Sequence, residues 1–125
     1  MGSDVFEDSR LDGLDFFATS LDESAEYEEI LKEATHVGWL SMRDFQFMES
    51  LIVRVKSLGI QFNFYHTGIL NPDDCRRINS ELDLFVRNKN NVSKSDQNDN
   101  RSVLRLRALL DYSTRNEINL YMVSD

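Results

Sequence analysis

One cysteine, one proline, two histidines and five singly spaced glycines are all that 125 residues hold of the residue types that build most small-molecule and metal sites. The lone Cys75 can close no internal disulfide, which agrees with a reducing compartment. His36 and His66 stand in no C-x-x-C, H-x-x-x-H or H-E-x-x-H spacing, so the patterns that hold zinc are missing and no metal is expected. No G-x-x-x-x-G-K-[ST], G-x-G-x-x-G or G-x-S-x-G occurs, so neither a backbone cradle for phosphate nor a nucleophile elbow is indicated, and no cofactor is expected. Nor is there a run of the roughly eighteen apolar residues that a membrane span needs. The first twenty residues carry acids where a signal peptide needs a basic and then an apolar region, so a cytoplasmic protein with no membrane partner is expected.

What is present is the composition of a folding chain, 41% hydrophobic and 29% charged, at a length suited to one domain over 1–125. The charge is uneven. Residues 1–50 hold thirteen acids against Arg10, Lys32 and Arg43, a net of −10, whereas residues 51–125 hold nine acids against eleven bases, a net of +2, which together make −8. A field of that sign repels phosphates and anionic lipid heads and attracts basic protein surfaces.

Hydrophobic spacing predicts an α+β, predominantly helical fold of about five helices packed around a central helix, with two short strands. Ser9 with Asp12, followed by Leu11, Leu14, Phe17, Ala18 and Leu21, predicts a first helix; its acidic and apolar alternation also suits a segment that folds against a partner. Ser20 with Glu23 starts a second, with Tyr27, Ile30, Leu31 and Ala34 on one face and its end near Gly38. The central helix is predicted over 41–58, from the Ser41 and Asp44 capping pair to Gly59, with an apolar arc from Phe45 through Leu58. Period two then predicts a strand over 60–66, a turn at Gly68, and a helix entered through Asn71, Pro72, Asp73 and Asp74. The polar stretch 87–100 is expected to be a mobile internal loop, followed by a fifth helix through Leu106 and Leu110 and a strand over 117–123. Two strands alone make a marginal sheet, so a homodimer that completes it is one expectation.

Candidate chemistry is sparse. Cys75 near a helix start, with His66 across the turn, is the only pairing that suggests a nucleophile, and the helix dipole is the one argument for a reactive thiolate. The inward position of Cys75 argues against it, so no catalytic residue is assigned and no enzyme is expected; a small enzyme using Cys75 and His66 stays as an alternative. Lys89, Lys94, Arg101, Arg105 and Arg107 form a basic stretch, of which Lys94, Arg101 and Arg105 are the candidate nucleic-acid contacts. No aromatics interleave with them, and direct nucleic acid binding by a nucleic-acid-associated regulator is the other alternative. The principal expectation is a small acidic regulator or inhibitor that binds another protein's basic surface through Asp22, Glu23, Glu26, Glu28, Glu29 and Glu33, and masks a surface that otherwise holds nucleic acid. Immunity proteins, antitoxins and anti-defence proteins fit the same physical description.

Overall fold

The computed structural model describes residues 13–22, 24–62, 68–92 and 97–124, with 89–92 and 97–100 described by their backbone alone. In chain order these form β1 (Gly13–Thr19), α1 (Tyr27–Glu33), β2 (Thr35–Ser41), α2 (Met42–Phe47), α3 (Glu49–Ser57), β3 (Gly68–Leu70), α4 (Pro72–Val92), α5 (Gln97–Asn116) and β4 (Asn119–Ser124). The four strands make one antiparallel sheet in the order β2-β1-β4-β3.

The sheet replaces the expected central helix as the organising element. Leu14 pairs with Leu40, and Phe16 and Ala18 pair with Met122 and Leu120. Residues directly opposite one another share a face, so these side chains form one apolar surface, extended by Leu70 opposite Leu120. All of them are buried, and Phe45, Met48, Leu51, Val55, Ile78, Leu82, Leu106 and Leu110 of α2 to α5 pack into the same core. At about 1.5–3 kcal/mol for each large apolar side chain removed from water, this two-layer contact is the main stabilising term. Tyr121 alternates with Leu120 and Met122 and so faces the other side of the sheet, where Tyr27 of α1 packs on it with ring centroids 6.0 Å apart.

Four expectations are overturned. The predicted first helix is strand β1 from Gly13 onward, because Leu14, Phe16 and Ala18 satisfy period two as well as the apolar residues of the segment satisfy period 3.6, and the partners that decide lie on β2 and β4. Residues 9–12 lie outside the described residues. The second helix is only the seven residues of α1, and Thr35–Ser41, rich in β-branched and aromatic residues, pairs with β1 instead of continuing it. The helix predicted over 41–58 breaks at Met48, which leaves helical geometry at φ −97° and ψ 23°. Before the break, Phe45 packs on Phe62 at 5.5 Å between centroids and Phe47 meets Phe85 edge-on at 5.6 Å. Finally, the described residues form four strands, not two. Ile60, Gln61 and Phe62 have no strand pairing, 63–67 lie outside the described residues, and Gly68, read as a turn, opens β3 opposite Met122. Because one chain supplies a four-stranded sheet, completing it requires no second copy.

The local punctuation is as expected where a helix starts or stops on its own side chains. Asp44 N–H donates to Ser41 Oγ at 3.1 Å and Ser41 N–H to Asp44 Oδ2 at 2.9 Å, closing a capping box on α2. Asn71 Oδ1 accepts from Asp74 N–H at 2.8 Å just before Pro72. Gly59 ends α3 at φ 86°, a left-handed position suited to glycine. Helix covers 87–92 at the end of α4 and 97–100 at the start of α5 in the stretch read as a loop; residues 93–96, Lys94 among them, lie outside the described residues.

Candidate protein-binding surface

Of the six acids expected to form one surface, five are described, and they divide by what holds them. Asp22 Oδ1 accepts from Ser24 N–H at 2.9 Å and from Ser24 Oγ, and these bonds hold its carboxyl below the usual range. Glu33 Oε1 accepts from Ser20 Oγ at 2.7 Å and Ser20 N–H at 3.0 Å, which lowers its carboxyl in the same way and ties the end of α1 back to the end of β1. These two acids therefore shape the segment on either side of α1. Glu26, Glu28 and Glu29 are exposed, and among the described residues no cation pairs with them. Tyr27, 50% exposed, stands among the three with its ring packed at a tilt on Tyr121. Glu23 lies outside the described residues.

The basic candidates are distributed differently. Arg105 Nη1 donates to Asp44 Oδ1 at 3.3 Å and Oδ2 at 3.2 Å, and Ser102 Oγ donates to the same carboxylate. Asp44 thus closes its own helix cap and anchors α5 to α2 from a buried position. Arg107 donates to Asn79 Oδ1 at 2.9 Å and to Asp83 Oδ1 at 2.7 Å, while Asn79 Nδ2 donates to Asp111 Oδ1 at 3.1 Å. This polar seam joins α4 to α5. Arg101 is exposed on α5.

Cys75 is fully buried on α4, and burial pushes its thiol up from an ordinary 9.0 to about 11, against the opposing pull of Ser113. Burial therefore keeps the thiol protonated, and it is a core group. His66 lies outside the described residues. His36 Nε2 lies 2.8 Å from Asp15 Oδ1 across β1 and β2, with Phe17 edge-on at 5.1 Å. Among the described residues no group of three or more His, Cys, Asp or Glu is arranged to hold a metal ion.

The Asp44, Ser102 and Arg105 contact was not among the sequence candidates. The capping pair showed that Asp44 starts a helix, but its other partners lie about sixty residues on, and nothing local signals them. A further feature is a groove of about 470 Å³ between α3 and α4, with Leu51, Leu84 and Phe85 along it and the Arg54 to Glu81 ion pair, at 3.0 Å, at its side. It brings together no acid and base placed for proton transfer.

The class these observations define is an α+β protein, one antiparallel sheet with its core helices on one face and a short acidic helix on the other. Neither a protein-family model, nor a curated protein, nor a solved structure matches the chain. No helix among the described residues is long and apolar enough to cross a membrane.

Proposed function

We propose that this is a small cytoplasmic regulator or inhibitor, working by binding and not by turnover, that covers a basic surface of another protein with Glu26, Glu28 and Glu29 of the α1 segment. The observation that carries the reading is that these three carboxylates are exposed without a cation on the described chain, while Asp22 and Glu33 are held by serines at either end. Unpaired surface charge of one sign steers a partner of the other sign and raises the rate of encounter. Tyr27 adds an amphipathic ring of the kind that anchors interfaces. A partner surface that otherwise holds nucleic acid has the required charge. Direct contact with nucleic acid has less support, because Arg105 and Arg107 spend their donors on Asp44, Asn79 and Asp83.

The test is capture on the immobilised protein, identification of what is retained, and titration of the purified partner at low and high salt. Reversal of Glu26, Glu28 and Glu29 to lysine is expected to weaken binding by about tenfold or more, and the wild-type affinity is expected to fall with salt. An affinity indifferent to both the salt and the triple reversal would sink the proposal.

A further inference from the structure

Helix α5 has two faces of different character. At about 100° per residue, Ser102, Leu106, Leu109, Leu110 and Ser113 fall on one arc, and all five are buried against the rest of the protein. The opposite arc carries Arg101, Leu104, Arg105, Ala108, Tyr112 and Arg115, and every one of them is exposed. A helix laid on a sheet needs one apolar stripe. Here Leu104, Ala108 and Tyr112, at i, i+4 and i+8, make a second one over about 12 Å, with Leu104 65% and Tyr112 39% exposed. The three arginines lie among them, and no acid shares the arc: Asp111 is turned toward Asn79 of α4. The arc is thus formally cationic on a chain whose net charge is −8. Arg105, though bonded to Asp44, keeps 48% of its side chain at the surface.

We propose that this face of α5 docks an acidic amphipathic segment of another protein, a helix whose apolar residues meet Leu104, Ala108 and Tyr112 while its carboxylates meet Arg101 and Arg115. Helices are recognised by matching apolar residues at i, i+3 or i+4 and i+7 or i+8, and flanking charges fix orientation and register. Charge complementarity selects an acidic partner. The exposed leucine and alanine select a protein over a nucleic acid, since they offer nothing to a phosphate backbone. The surface is separate from α1 and does not rest on the role proposed for Glu26, Glu28 and Glu29.

A fluorescent helical peptide of about four turns, with leucines at i, i+4 and i+8 flanked by glutamates, is a suitable probe for anisotropy titration against the full chain. Saturable binding is expected, weakened about tenfold or more by Leu104→Asp and also by Arg101→Glu with Arg115→Glu, and not weakened by lysine at Glu26, Glu28 and Glu29. The substituted residues are exposed, so the variants retain the fold, which circular dichroism checks; Leu104→Ser with Tyr112→Ser serves as a second apolar variant. The proposal is overturned if the wild type shows no saturable binding, or if binding survives both apolar variants. It is equally overturned if an oligonucleotide binds more tightly than the peptide and depends on Arg101 and Arg115 but not on Leu104.

Discussion

Cys75 lies one turn into α4, where a helix dipole would favour a thiolate, yet burial wins by holding the thiol neutral. The sign of the resulting pH dependence follows from proton counts. The unfolded thiol releases its proton near 9 and the folded one near 11, so between these values the unfolded state binds fewer protons and stability falls as pH rises; below about 9 the residue contributes no slope. Urea unfolding at about pH 8 and about pH 10.5 should show a loss of about 2 kcal/mol in the wild type that is reduced in Cys75→Ala. Asp44 is the other residue whose surroundings decide its role. Asp44→Ala removes the acceptor for Ser41 N–H, Ser102 Oγ and Arg105 at once, and should cost about 2–3 kcal/mol in denaturant unfolding, moderated because Arg105 can return to water. The inward position of Cys75 was legible from its place on an amphipathic helix. The buried anchor at Asp44 was not, because its partners are distant in sequence.

Among the elements, the two glycines of β1 and β2 show why strands were hidden in segments that read as helices. A methyl on Gly38 would lie 2.5 Å from Cδ2 of Leu109, so α5 rests directly on β2 at this point. Gly38→Ala should cost about 1–3 kcal/mol, and the cost should shrink when Leu109 is also reduced to alanine, as a double-mutant cycle of unfolding energies would show. On the other face, the indole of Trp39 occupies the space beside Gly13, with Nε1 only 1.6 Å from where a Cβ would stand. Gly13→Ala must therefore displace the only tryptophan, and a red-shifted fluorescence emission is the expected outcome. From sequence, Gly38 read as the end of a helix because glycine often closes one. Its role as a contact point for a leucine seventy residues later has no local signature. The starts of α2 and α4 and the end of α3 were legible because caps are made by residues three or four apart.

For the molecule as a whole, the asymmetry of charge is the property that bears most on behaviour. The acids concentrate in the first half, while in the second half Arg54, Arg76, Arg105 and Arg107 all find carboxylate partners. Replacing the exposed Glu26, Glu28 and Glu29 with lysine should therefore change stability by less than about 1 kcal/mol in thermal unfolding while strongly altering charge-dependent association. A large loss of stability in that variant would mean that the acids support the fold and do not form a binding surface.

The charge distribution, the caps of α2 and α4, the lack of metal and phosphate motifs, and the apolar stretches that had to be buried can all be read along the chain. Each of these depends on composition or on neighbours within one helical turn. Which of those stretches became strands cannot be read that way, because β1 is held by residues of β2 and β4 that are brought beside it by the whole fold. The same fold sets which charges are spent inside the molecule and which stay exposed. Arg101 and Arg105 look alike along the chain, and only the approach of α2 to α5 gives Arg105 a buried carboxylate to meet.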